Sequence, residues 1–173
     1  IGEVVKETLC FCDDVIVVND GCTDSTAQII GEIDNITVVA YSQNRGKGHA
    51  LQQGFRKALS MGFAYAITLD ADGQHKPEDI PLFLKANQEH PGALIIGARP
   101  LQGVERSKGS DFANQFSNFW FFVQTGKRLE DTQTGYRLYP LHKLHGLSLL
   151  TNRYEAELEL LVFASWHGTE IVS

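Results

Sequence analysis

The alternation of short β-branched runs with segments of helical periodicity constrains this chain more than any other feature. Asp14-Val15-Ile16-Val17-Val18-Asn19 is an unbroken apolar run bounded by polar residues, the pattern of a strand covered on both faces in a parallel sheet. Gly21 supplies a turn, Thr23 or Asp24 can cap a helix, and Thr26, Ile29, Ile30 and Ile33 recur at helical spacing. Ile36 to Tyr41 reads as a second strand, and Leu51, Phe55, Ala58 and Leu59 line one face of a helix beginning near Lys47. The strand signal returns at Ala64 to Leu69. Pro77 suits the first position of a helix through Asp79, Ile80 and Leu84, and Ala93 to Gly97 is another short strand. Strands alternating with helices predict an α/β fold with a largely parallel sheet flanked by helices.

After Arg99 the rhythm changes. Gln102 to Asp111 is polar and basic, with Arg106 and Lys108 between glycines, and is predicted to be a mobile loop. Phe116 to Val123 holds Phe119, Trp120, Phe121 and Phe122 and fits either a buried helix or one that faces lipid. A last helix is expected from Tyr154 to Trp166, then a strand from Thr169 to Val172. Ile1 to Leu9 is expected to be helical. No apolar run approaches the ~20 residues needed to span a bilayer, so any membrane contact is expected to be peripheral.

With 173 residues, 43% hydrophobic and 21% charged, the composition is that of one soluble globular domain. The net charge of -6 excludes a general nucleic-acid binder, which must cluster Lys and Arg against phosphates. Cys10, Cys12 and Cys22, with no signal peptide in view, read as reduced thiols of a cytosolic protein. Cys10 and Cys12 are either half a metal site or plain packing.

Chemistry concentrates at three strand ends. Thr68-Leu69-Asp70-Ala71-Asp72-Gly73-Gln74-His75 puts two carboxylates after a buried strand, at the carboxyl edge where open α/β sheets bind ligands. Two anions beside a pyrophosphate repel unless a divalent cation lies between them, and two carboxylates with the Gln74 amide oxygen suit Mg²⁺ or Mn²⁺; a solvated turn is the competing reading. Asn19-Asp20-Gly21-Cys22-Thr23-Asp24-Ser25 is another strand end, suited to a nucleoside donor contact through Asp20 and close backbone approach at Gly21, or to a capped turn alone. Asn44-Arg45-Gly46-Lys47-Gly48-His49-Ala50 is a Gly-rich basic turn opening a helix, suited to a phosphate through backbone N–H groups and Lys47. Its spacing is not that of a P-loop, so an NTPase is rejected.

In this order, the turn Asp20 to Ser25, the turn Asn44 to Ala50 and Asp70-Ala71-Asp72 resemble the family-2 glycosyltransferases of GT-A fold. Gly97-Ala98-Arg99 and Asp131-Thr132-Gln133-Thr134-Gly135-Tyr136-Arg137-Leu138-Tyr139 look most like the polyprenyl-phosphate sugar synthases of the dolichol-phosphate mannose type. The resemblance implies a single Rossmann-like GT-A catalytic domain over 1–173, with a donor-binding part at 1–99 and an acceptor-side part at 100–173. It further implies metal binding by Asp70, Asp72 and Gln74, donor contacts by Asp20, Gly21, Lys47 and Asp70, and phosphate contacts by Arg99 and Arg137. The reaction would be an inverting displacement on a nucleotide-diphosphate sugar, with a lipid-phosphate acceptor met at the cytoplasmic face of a membrane. An acceptor phosphate is already anionic near neutral pH. A hydroxyl acceptor would make Asp131 the general base. Glu157 matches a carboxylate position of the family, Glu155 and Glu159 fit a solvated helix face, and Arg106 and Lys108 fit either a phosphate clamp or a solvated loop.

The sequence departs from the family at its start, where a strand ending in Pro-x-Tyr-Asn is expected and not found. The supplied chain is therefore expected to be a fragment whose sheet lacks a central strand, exposing backbone on both neighbours. A sugar-nucleotide nucleotidyltransferase and a non-catalytic carbohydrate- or lipid-binding module remain as alternatives. The nucleotidyltransferase would normally show a Gly-rich loop with Arg and Lys near its start; the binding module gives no reason to place Asp70, Asp72 and Gln74 beside a basic turn.

Overall fold

The β-branched run forms strand β1 (Val15–Asp20) in the computed structural model, which describes residues 1–97, 108–129, 131–144, 151 and 155–173. Helix α1 (Gly2–Thr8) precedes it, and α2 (Thr26–Gly31) leads to β2 (Ile36–Tyr41). Helix α3 (Lys47–Ser60) then leads to β3 (Tyr65–Thr68). Pro77 opens a turn of 3-10 helix that continues into α4 (Ile80–Glu89), followed by β4 (Leu94–Ile96), so the proline's missing N–H falls where no helical partner exists. The remaining elements are α5 (Lys108–Thr125), β5 (Arg137–Pro140), α6 (Leu141–Leu144), α7 (Glu155–Trp166) and β6 (Ile171–Val172). Arg99, Arg106 and His145 lie outside the described residues, as does the expected helix start at Tyr154.

β1 and β2 pair in parallel from Val15 opposite Ile36 to Asp20 opposite Tyr41. The other four strands form a sheet in the order β3-β5-β4-β6, with β4 and β6 parallel and β5 antiparallel to both neighbours. β5 is thus the one reversed strand of that sheet. Its residues alternate between the two faces as strand geometry requires: Leu138 joins Ile80, Phe83 and Ile95 on one side, while Tyr139 joins Ala58, Leu94, Phe121 and Leu160 on the other. Helix α3 lies on the second side and spans both sheets, since Leu51 and Phe55 pack in one cluster with Ile16 of β1 and Ala66 of β3. A third cluster joins Val5 of α1, Val17 of β1 and Ile30 of α2.

The described strands β1 and β3 share no ladder. Between them runs a cavity of about 390 Å³ lined by Val15 to Val18, Ala66 to Thr68, α1 and the Leu51-to-Phe55 face of α3.

Two expectations are corrected. The polar stretch expected as a loop to Asp111 turns helical at Lys108, making α5 an 18-residue helix rather than a short aromatic one. The stripe Asn114, Ser117, Asn118 and Phe121 explains the length: spaced at helical period, these residues turn inward, Asn114 and Phe121 fully and the other two in part. β5, read in the sequence only as a motif, is a strand because its neighbours β3 and β4 supply ladders on both sides.

Candidate active site

β1 ends in Asp20, whose two carboxylate oxygens accept the main-chain N–H groups of Arg45 (2.8 Å) and Gly46 (2.9 Å). Gly21 adopts φ +66°, and a Cβ there would stand 2.5 Å from the Asn44 nitrogen; only glycine lets the two turns approach so closely. Asn19 closes the first turn by accepting the Cys22 N–H at 2.9 Å. The two Gly-containing turns, separate in sequence, are therefore one structure at the head of α3.

Lys47 is the first residue of α3, and its side chain crosses to the end of β3. Its ammonium lies 2.8 Å from Asp70 Oδ1, 2.9 Å from Asp70 Oδ2 and 3.1 Å from Glu157 Oε2 of α7. Gly135, preceding β5, backs this cluster: a Cβ there would fall 2.7 Å from Asp70 Oδ2, 2.7 Å from Lys47 Nζ and 3.0 Å from Glu157 Oε1. Burial pulls the Lys47 pKa down, but the Glu157 and Asp70 carboxylates outweigh it, and the net shift is upward from 10.5. Lys47 is held as a cation.

The turn after β3 is fixed from behind. His75, buried, accepts the Asp70 N–H through Nδ1 at 3.0 Å and stacks on Tyr136, whose hydroxyl donates to the Lys76 carbonyl at 2.8 Å. Burial, reinforced by Asp79, holds the Tyr136 phenol pKa above its ordinary value, so it remains a donor. The Thr68 hydroxyl donates to the Gly135 carbonyl at 2.6 Å. Asp72 stays exposed and accepts the Gln74 N–H at 2.9 Å; Gln74 is exposed as well. Among the described residues no three His, Cys, Asp or Glu side chains converge on one point. Asp70 already gathers a positive charge, the Lys47 ammonium, and Asp72 and the Gln74 amide add hard oxygen donors on the same turn. Carboxylate and amide oxygens are the donor types that suit a hard divalent cation.

Arg137 lies elsewhere than its motif suggested. It is 0% exposed, and its guanidinium donates to the main-chain carbonyls of Thr132 and Glu157, both at 2.8 Å, and to the Tyr139 hydroxyl at 3.3 Å. The resemblance implies a phosphate contact for Arg137; as the first residue of β5, between two ladders, its guanidinium points inside. Asp131 is 3% exposed and its Oδ1 accepts the N–H groups of Gln133 (3.0 Å) and Thr134 (3.2 Å). Thr132 is held in turn by Asn118 Oδ1 and Ser117 Oγ of α5. The 131–135 loop is therefore clamped between α5, β5 and α7.

The structure brings Asp20, Gly21, Lys47 and Asp70 to one edge and joins Glu157 and Gly135 to them. The sequence alone shows no partner for Glu157 and no role for His75. The available signal for Glu157 was a carboxylate flanked by Ala156, Leu160 and Leu161 on a helix that is otherwise buried there.

The model of glycosyl transferase family 2 matches residues 10–139. The chain is 29% identical over 174 residues to the UDP-N-acetylglucosamine–dolichyl-phosphate N-acetylglucosaminyltransferase of Methanococcus voltae, covering 88% of this chain and 69% of that protein. It is 31% identical over 148 residues to the polyprenol monophosphomannose synthase of Mycolicibacterium smegmatis, covering 78% of this chain and 54% of that protein. Among solved structures, glucosyl-3-phosphoglycerate synthase from Mycobacterium tuberculosis, in complex with Mn²⁺, UDP-glucose and phosphoglyceric acid, superposes with a TM-score of 0.74 at 18% identity, over 99% of this chain and 63% of that one. The chain spans roughly half to two thirds of the length of these proteins.

Proposed function

Because the chain belongs to glycosyl transferase family 2, we propose that it is the catalytic part of an inverting glycosyltransferase that moves a sugar from a nucleoside diphosphate to a polyprenyl phosphate. The observation that carries this reading is the Lys47–Asp70 pair, set at the carboxyl end of β3 beside the N-terminus of α3, where an anionic diphosphate finds both a lysine and main-chain N–H groups. Relatives named for dolichyl and polyprenol phosphate acceptors support the lipid class.

In this reading Asp20 fixes the Arg45–Gly46 turn by accepting its two amides, so that Lys47 and the amides that open α3 face the donor, and Asp70, Asp72 and Gln74 would hold Mg²⁺ or Mn²⁺. When bound, the divalent cation offsets the charge that develops on the leaving diphosphate. A lipid phosphate attacks the anomeric carbon on the face opposite the diphosphate, forming the new C–O bond as the old one breaks. The attacking oxygen is already anionic, so no side chain has to take a proton. The involvement of Asp131 Oδ1 with two backbone N–H groups favours this over a hydroxyl acceptor, for which Asp131 would have to act as base. Arg137 serves by holding the 131–135 loop. Asp20, Gly21 and Lys47 fall in the donor part proposed for 1–99, and the loop and α5 in the acceptor part proposed for 100–173.

Membrane contact is assigned to α5. Phe116, Phe119, Trp120, Phe122 and Val123 are all exposed, while Phe121 is 0% exposed. Lys127 and Arg128 follow, with the Arg128 guanidinium 5.1 Å from the Phe122 ring centre. Aromatic rings edged by cations suit an anionic lipid surface at the cytoplasmic face. Among the described residues no helix is long and apolar enough to cross a membrane.

The test is a donor screen with the full-length protein, polyprenyl phosphate and soluble saccharides, read by nucleoside diphosphate release. Transfer to the polyprenyl phosphate is expected. Transfer only to saccharides would remove the lipid acceptor, and pyrophosphate release would indicate nucleotidyl transfer instead. Asp72→Asn is expected to abolish Mn²⁺-dependent donor binding with the circular dichroism spectrum unchanged; unaltered calorimetric affinity would remove the metal assignment.

A further inference from the structure

We propose that Glu157 is the seat to which the Lys47 ammonium withdraws when Asp70 takes up a divalent cation, so that Lys47 competes with the metal and Glu157, as a positioning residue, sets the metal affinity. The inference rests on the assignment of the cation to Asp70 and Asp72 made above.

Lys47 Nζ stands within 2.9 Å of both Asp70 oxygens. A cation approaching Asp70 therefore meets a positive charge already in contact with both of its oxygens, and the repulsion between the two favours its displacement. A lysine with no second anion in reach would resist, because a half-buried ammonium stripped of its counter-ion is strongly disfavoured. Glu157 removes that obstacle. Its side chain is 7% exposed, comes from a different helix, and already lies 3.1 Å from Nζ. The ammonium can keep Glu157 while releasing Asp70, and neither buried charge is left alone. The same movement frees N–H donors of Lys47 for the diphosphate that arrives with the metal.

Two features fit this exchange better than a static ion pair. Gly135 leaves open the space that a Cβ would occupy at 2.7 Å from Nζ and 3.0 Å from Glu157 Oε1, so the ammonium has room to move between the carboxylates. Glu157 has little space to follow Lys47, because its main chain is held in α7 and by Arg137 Nη1 at 2.8 Å, and its side chain is only 7% exposed. The seat is rigid and the lysine is the mobile partner, as its four-carbon stem allows.

The experiment is Mn²⁺ titration of the full-length protein without nucleotide, followed by electron paramagnetic resonance of the free ion. It uses the parent, Glu157→Gln, Glu157→Asp, Lys47→Met and the Lys47→Met/Glu157→Gln double variant, with thermal unfolding of each. Glu157→Gln is expected to weaken Mn²⁺ binding by about fivefold or more, within the coupling range of contacting charged groups, because Lys47 then has only Asp70. Lys47→Met is expected to tighten it, and Glu157→Asp to keep most of the parent affinity. In the Lys47→Met background Glu157→Gln is expected to have no further effect, since Glu157 acts only through the lysine. The double variant removes both buried charges and keeps the test open if Glu157→Gln alone does not fold. A loss that persists in that background would make Glu157 a direct metal ligand and overturn the proposal, as would unchanged affinity in Glu157→Gln. Asp72→Asn separates the two readings: if it abolishes Mn²⁺ binding while Glu157→Gln does not matter, only the exchange fails; if neither matters, the metal site fails with it.

Discussion

Arg137 shows how much a single side chain's surroundings decide. Its charge is spent on two main-chain carbonyls of the loop and of α7, so the guanidinium fork acts as a brace across a buried junction. Arg137→Lys keeps the charge, but one ammonium cannot reach both carbonyls in the guanidinium's planar geometry. The expected cost is about 2 kcal/mol of stability, the scale of a lost charge-assisted hydrogen bond, read as a lower urea midpoint. Full stability with lost turnover would return Arg137 to the phosphate-contact role. Lys47 gives a pH test. Its folded pKa lies above 10.5, so its ion-pair contribution is complete below 10.5 and is lost as pH rises through the higher folded value. The stability difference between parent and Lys47→Met is thus expected to stay flat from about pH 6 to 9. A decline that begins near neutrality would contradict the held cation.

At the scale of elements, α5 is the informative case. One stripe carries Asn114 and Phe121 into the core, while Phe116, Phe119, Trp120 and Phe122 face outward. Such a concentration of exposed rings is more than scattered surface hydrophobes explain. Phe119→Ser with Trp120→Ser removes two outward rings, 58% and 42% exposed, and leaves Phe121 in place. The pair is expected to lower vesicle flotation of the full-length protein at least tenfold, since each ring that enters lipid contributes about 1.5–3 kcal/mol, with little change in melting temperature. A folded variant that floats as the parent does would remove α5 from the membrane. Phe121→Ser is expected instead to unfold the domain, because that ring fills the junction with α7.

At the scale of the molecule, the core is unevenly built. β4 and β5 are buried at every residue and paired on both sides, whereas every residue of β3 is only half-buried and β1 has one partner among the described strands. The cavity between β1 and β3 lets water reach main-chain groups that a closed sheet would hide. Hydrogen exchange is therefore expected to be slowest across residues 94–96 and 137–140 and distinctly faster at the amides of β1 that face away from β2. Uniform protection across the six described strands would mean that β1 and β3 close on each other in solution.

What the sequence determined by itself was local and periodic. The run Val15 to Val18, the turn at Gly21, the helix start at Lys47 and the carboxylate pair after β3 were legible because strand, cap and turn preferences act over a few residues. The order of the three turns added the fold class. Tertiary structure decided what depends on neighbours distant in the chain: that Arg137-Leu138-Tyr139-Pro140 is a reversed central strand, that this strand carries Gly135 beside Asp70, and that Glu157 of α7 completes the Lys47 cluster. Backbone pairing fixed those positions. A buried ion pair is selected by which groups meet out of water, and no local pattern encodes the partner of a charge 110 residues away.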